Sequence, residues 1–131
     1  MEKTNQGFKI VLTADRTLMS EYNNAIFIGF SACIPHGIIP DKLYFSLFCP
    51  SVPVNKDGSV KYAPCGTRKI EAALLNNGFN REDIIVAHPE YLDKVIGSNT
   101  KILFITENDP LGMGPATSTF TQLFHGEAYM T

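Results

Sequence analysis

Apolar residues along this chain fall into two rhythms. Short unbroken runs rich in β-formers occupy residues 8–14 (Phe-Lys-Ile-Val-Leu-Thr-Ala), 43–48 (Leu-Tyr-Phe-Ser-Leu-Phe), 84–87 (Ile-Ile-Val-Ala) and 101–106 (Lys-Ile-Leu-Phe-Ile-Thr). Each reads as a strand buried on both faces. Cys49-Pro50 closes the second run, because proline has no N–H to give to a ladder. Residues 25–30, an apolar run with an internal glycine, read as an extended segment. Elsewhere the spacing turns helical. Ile70, Ala73, Leu74 and Asn77 share one face of a helix predicted over residues 67–77, with Arg68, Lys69 and Glu71 on the remainder, Thr67 as N-cap and Gly78 past its end. A second helix is predicted from His88-Pro89-Glu90 to about Ile96, with proline in its first turn and Gly97 beyond it. A third runs from Thr117 to about His125.

Strand 43–48, helix, strand 84–87, helix, strand 101–106 is the order of an α/β domain. Continuous apolar strands alternating with amphipathic helices need both sheet faces covered, and right-handed crossovers then give a doubly wound, flavodoxin-like or Rossmann-like parallel sheet. The run at residues 8–14 is an extra N-terminal strand. Residues 1–131 read as one domain, with neither an internal repeat nor a linker.

Composition narrows the classes of function. The chain has 131 residues, 44% of them hydrophobic and 18% charged, which excludes a disordered or low-complexity segment. A formal net charge of −2 without a basic stripe excludes the usual nucleic-acid footprint. No apolar stretch approaches the ~18–20 residues that cross a bilayer. The N-terminal residues Met1-Glu2-Lys3-Thr4-Asn5-Gln6 carry no secretory pattern, so the expected location is cytoplasmic and the three cysteines are expected to be reduced thiols.

In an open parallel sheet, ligands bind beyond the carboxyl ends of the strands. Two glycine- and proline-bearing loops are expected there. One contains Pro64, Cys65, Gly66 and Thr67, directly before a helix; the other runs from Asp109 through Gly112 and Gly114 to Thr117 and Ser118. Glycine lets backbone approach a ligand, helix N-termini present unpaired N–H groups to anions, and the hydroxyls add donors. A phosphate-bearing or planar cofactor suits such loops. The same residues also suit a purely structural part, turning the chain and capping helices. Asp15 and Asp109 both follow strands and carry the same two readings. Cys33, Cys49 and Cys65 lie too far apart for a metal-site pattern, so no metal ligands are expected. Cys65, before a helix N-terminus and near Arg68 and Lys69, is the one cysteine placed like a nucleophile. His36, His88 and His125 are scattered and read as structural or surface residues. Neither a Gly-x-Ser-x-Gly elbow nor a Walker loop is present.

Several of these stretches together resemble a known family. Phe48-Cys49-Pro50, Pro64-Cys65-Gly66, the helix from Ile70 to Gly78, Leu12-Thr13-Ala14-Asp15, Gly29-Phe30-Ser31, the run from Ala63 to Leu74 and above all the run from Asp109 to Ser118 are similar to the N-terminal cobalamin-binding-like domain of radical S-adenosylmethionine iron–sulfur oxidoreductases. The resemblance implies a corrinoid ligand flanked by Pro64, Cys65, Gly66, Thr67, Asp109, Gly112, Gly114, Thr117 and Ser118. It also implies an iron–sulfur cluster and S-adenosylmethionine held by a downstream domain that this sequence lacks, since no Cys-x-x-x-Cys-x-x-Cys signature is present. This chain alone would then not be catalytic. The Asp-x-His-x-x-Gly motif that supplies an axial histidine elsewhere is missing too. A domain of this kind would continue past Thr131 into a fourth strand, so the sheet is expected to be truncated, with one edge unpaired and prone to homo-oligomerisation. The alternatives are an interaction or regulatory domain that keeps the fold without the ligand, and a small enzyme with Cys65 as nucleophile.

Overall fold

The structure, a computed structural model, describes residues 6–129, the side chain of Ile26 apart. Residues 1–5, part of the stretch read as lacking a leader, lie outside the described residues. In chain order the elements are β1 (Ile10–Ala14), 3-10 turns at Tyr22–Asn24 and Ile26–Cys33, α1 (Asp41–Leu43) running into a π-helical stretch (Tyr44–Phe48), α2 (Cys65–Asn76), β2 (Ile84–Val86), α3 (Leu92–Val95), β3 (Ile102–Thr106) and α4 (Pro115–Phe124). The chain divides into two compact units: the segment ending at Met19 together with Val52–Thr106, and Ser20–Ser51 together with the segment from Glu107 onward.

The first unit is the α/β part. Its sheet has the order β2-β1-β3 and every pairing is parallel. The register sets Ile10 between Ile84 and Ile102, and Leu12 between Val86 and Phe104. Side chains alternate across the sheet, so the two faces bury different residues. Ile10, Leu12, Ala14, Ile84 and Val86 pack with Leu74 and Leu75 of α2, and Val11, Ile85 and Ala87 pack with Leu92 and Val95 of α3. One helix on each face of an open parallel sheet is the doubly wound arrangement, here a short flavodoxin-like α/β fold.

Four local expectations change. The N-terminal strand is the centre of the sheet rather than an addition to it, since β1 pairs on both sides. Residues 43–48 are helical, and the reason lies in their packing. Tyr44, Phe45, Phe48 and Cys49 cluster with Tyr129 at the i, i+1, i+4, i+5 spacing of a helix face, while Leu43, Ser46 and Leu47 are exposed. Residues 26–30 are likewise part of a 3-10 turn, not an extended segment. Finally, β3 is an uncovered edge: Ile102, Leu103, Phe104 and Ile105 all remain substantially exposed.

Helix α2 also turns differently from its sequence reading. Glu71 is buried and Ile70 is 39% exposed. The Glu71 carboxylate is held by Arg68 Nη1 at 2.7 Å and by Arg81 Nη1, and Arg68 Nη2 donates to the carbonyls of Val60 (2.6 Å) and Lys61 (2.7 Å). Burial alone would raise the Glu71 carboxyl, but the hydrogen bonds and charge of the two guanidiniums outweigh it and hold the group below its ordinary range.

The second unit has its own core. Tyr44, fully buried, stacks on Tyr129 with ring centroids 3.8 Å apart, and the Tyr129 hydroxyl donates to the Ile39 carbonyl at 2.6 Å. Burial pushes the Tyr44 phenol up to about 12 and raises Tyr22 as well. Ala32 and Cys33 pack against Ala116 and Phe120 of α4. Among the described residues no helix is long and apolar enough to cross a membrane.

Candidate functional site

The carboxyl end of the sheet is built from the ends of three strands. After β1, Asp15 folds back on its own turn: its Oδ2 accepts from Thr17 N (2.7 Å), Leu18 N (3.2 Å) and the Thr17 hydroxyl. It is a turn-capping residue there, one of the two readings open from sequence. After β2, the Ala87 carbonyl accepts from the Thr13 hydroxyl at 2.9 Å and His88 is wholly buried. Its Nδ1 accepts from Glu90 N at 3.3 Å while Nε2 has no hydrogen-bond partner among the described residues. Burial lowers the His88 imidazole below its ordinary value, with Glu90 pulling upward and Arg16 downward. At the end of β3, Thr106 Oγ1 meets Thr67 Oγ1 at 2.8 Å, which ties the first turn of α2 to the strand.

The loop expected to approach a ligand from α2 is therefore at the carboxyl end of the sheet. Pro64 precedes the helix, and Cys65 and Gly66 are exposed on its first turn. Thr67 is buried, its hydroxyl engaged by Thr106. Nothing lies within 4 Å of the Cβ position at Gly66, so the fold itself does not require glycine there. No histidine is hydrogen-bonded to the Cys65 thiol among the described residues, and Cys33 and Cys49 are buried.

The loop after β3 lies in the second unit and is organised by one side chain. Asp109 Oδ1 accepts from Met113 N (3.0 Å), Oδ2 accepts from Gly114 N (2.9 Å), and its carbonyl accepts from Gly112 N (3.0 Å). The Thr117 hydroxyl is the strongest influence holding the Asp109 carboxyl below its ordinary range; slight burial opposes it and the two amides add to it. The glycines follow from this geometry. Gly112 has φ +63°, and a Cβ on Gly114 would stand 2.7 Å from Asp109 Oδ2. Ser118 is engaged within α4, its N–H donating to Gly114 O and its hydroxyl to Pro115 O.

Around this loop the second unit forms an open cavity of about 550 Å³, lined by Gly29, Phe30, Cys33, Asn108, Asp109, Gly114, Pro115, Ala116 and Thr117. The Thr117 hydroxyl lies 3.9 Å from the Cys33 sulfur. Three of the residues expected at a site, Asp109, Gly114 and Thr117, thus meet in one cavity. Gly112 lines a neighbouring concavity of about 480 Å³ with Thr117 and Thr121. Sequence reasoning missed Cys33 and Asn108 as wall residues. Cys33 carried no signal beyond its apolar surroundings, whereas Asn108 is next to the organising aspartate. Among the described residues no three of His, Cys, Asp and Glu gather into a metal-holding group. No family model matches the chain, and neither a curated protein nor a solved structure does.

Proposed function

We propose that this chain is a cofactor-binding module of the corrinoid-binding kind, belonging to a radical S-adenosylmethionine iron–sulfur oxidoreductase, and that it holds its ligand without performing chemistry itself. The observation that supports it is the cavity of about 550 Å³ beside the Asp109 loop. Its volume is that of a small-molecule site, roughly 300–1,000 Å³. Its wall is largely apolar (Gly29, Phe30, Pro115, Ala116), with polar groups from Asn108, Asp109 and Thr117 at one side. Such a slot suits the nucleotide end of a corrinoid, a flat base carrying a few hydrogen-bonding groups, rather than the whole macrocycle.

The residues fit that end and not an axial contact, because none of His36, His88 and His125 lines the cavity. A corrinoid supplies cobalt chemistry when bound. The part of this chain is to desolvate the base against Phe30 and Ala116 and to orient it by hydrogen bonds from the exposed Asn108 side chain. The iron–sulfur cluster and S-adenosylmethionine would belong to another domain.

Titration with hydroxocobalamin, followed by visible absorbance, tests the proposal. A saturable shift is expected, weakened about tenfold by Phe30→Ala, which removes an exposed wall residue worth roughly one aromatic contact. No shift at high protein concentration overturns it. One observation favours a second reading, an interaction domain without a ligand: the amides of Met113 and Gly114 are engaged by Asp109 and the Thr67 hydroxyl by Thr106. On that reading the titration is flat and the fold is retained.

A further inference from the structure

Strand β3 has the composition of an interior strand and the position of an outer one. Its partner on one side is β1, and the other side has no strand among the described residues. Ile102, Leu103, Phe104 and Ile105 are 42%, 40%, 37% and 64% exposed. Because neighbours alternate across a sheet, both faces are uncovered along this strand. Parallel strands of this composition are normally covered on both faces, and an apolar unpaired edge recruits another strand.

The backbone shows which groups await a partner. Ile102 N donates to the Lys9 carbonyl (3.2 Å) and the Thr106 carbonyl accepts from Asp15 N (3.1 Å), so the even-numbered residues of β3 address β1. Strand alternation turns the N–H and C=O groups of Leu103 and Ile105 outward. Lys101 and Glu107 flank the strand with opposite charges at equal distances from Phe104.

We propose that a second copy of this chain pairs with β3 in antiparallel fashion about a twofold axis at Phe104, joining two three-stranded sheets into one of six strands. In this register Leu103 exchanges both backbone hydrogen bonds with Ile105 of the partner subunit, and the reverse pair does the same. Phe104 faces the partner's Phe104 in the close, non-hydrogen-bonded position, where aromatic pairs stabilise a sheet. Lys101 stands opposite Glu107 of the partner subunit, twice over. A shift of the axis by one residue in either direction breaks both charge pairs, so the flanking charges select this register. The contact is isologous and closes as a dimer.

Sedimentation equilibrium at low salt tests it. The chain is expected to dimerise, and Ile105→Lys, which places a charge on an exposed apolar position, is expected to leave a folded monomer by circular dichroism. Lys101→Glu sets two like-charged pairs in the interface and should weaken the dimer on the order of tenfold, with Lys101→Glu/Glu107→Lys restoring it. In a Cys65→Ser background, Phe104→Cys should form an intersubunit disulfide, because directly opposed non-hydrogen-bonded residues have Cα atoms about 4.5 Å apart. A monomer at about 1 mM overturns the proposal. So does a dimer that is indifferent to Ile105→Lys, one that the double charge exchange fails to restore, or one in which Phe104→Cys does not cross-link.

Discussion

Replacing Arg68 by methionine isolates the cost of leaving Glu71 under-partnered. Methionine keeps most of the apolar stem and removes the guanidinium. Three hydrogen bonds are lost: to Glu71 at 2.7 Å, to the Val60 carbonyl at 2.6 Å and to the Lys61 carbonyl at 2.7 Å. Lys61 is exposed, so water replaces that bond at little cost. Val60 is buried and the Glu71 side chain is only 8% exposed, so those two losses count. Hydrogen bonds to charged groups contribute about 1.5–3 kcal/mol each. Arg81 still holds Glu71, which keeps the cost below the full penalty of an unpaired buried charge, about 3–5 kcal/mol. The expected loss is about 3 kcal/mol. Urea unfolding reads it as a midpoint lower by about 1–3 M at the slopes usual for small domains. Arg81→Met, whose side chain is 66% exposed, should cost clearly less. A loss under about 1 kcal/mol for Arg68→Met, or a larger loss for Arg81→Met, would refute the assignment of Arg68 as the principal partner.

Three further outcomes are expected. The folded-state pKa of His88 is lowered, so between it and the unfolded value near 6.5 the unfolded chain binds a proton that the folded chain does not. Stability is therefore fully present above about pH 6.5 and falls on acidification, by at most about 1.4 kcal/mol per pH unit from this group. Denaturant midpoints across the window will show the slope, and His88→Leu should flatten it; an unchanged slope counts against the buried imidazole. Gly114→Ala forces a methyl against Asp109 Oδ2 and should cost about 1–3 kcal/mol, measured by thermal unfolding, with a neutral result showing that the loop is slack. Asp109→Ala frees the amides of Met113 and Gly114, so their hydrogen exchange should accelerate while amides of β1 keep their protection.

Much of the sheet was legible because β1 and β2 are buried on both faces, and such strands write continuous apolar runs into the sequence. The run at residues 43–48 is equally apolar and yet helical, since six residues cannot separate a period of 2 from one of 3.6. Burial of Tyr44, Phe45 and Phe48 around Tyr129, distant in sequence, decides it. An unpaired sheet edge was expected, but the exposure of β3 on both faces was not: composition records what a strand is suited to touch, not how much of it is covered. In the candidate site, the glycines and Asp109 stood out with both a ligand-contact and a turn-forming reading open; that the carboxylate takes up the loop's own amides depends on a backbone path no spacing rule encodes. Arg68 and Glu71 were read only as residues of the outer helix face; their pairing at i, i+3, and its third member Arg81 from beyond the helix end, come from the structure.

The central place of β1 has a consequence for how the molecule is made. Ile10 pairs with Ile84 and Ile102, partners that lie 74 and 92 positions further along the chain (84 − 10 and 102 − 10). Strand β1 must therefore wait for residues 84–86 to be made before it has its first neighbour, and for residues 102–106 before it has its second. Closing such long loops before any contact rewards them slows folding and leaves Ile-Val-Leu exposed meanwhile. Nascent chains stalled short of residue 102 would be the natural clients of a chaperone.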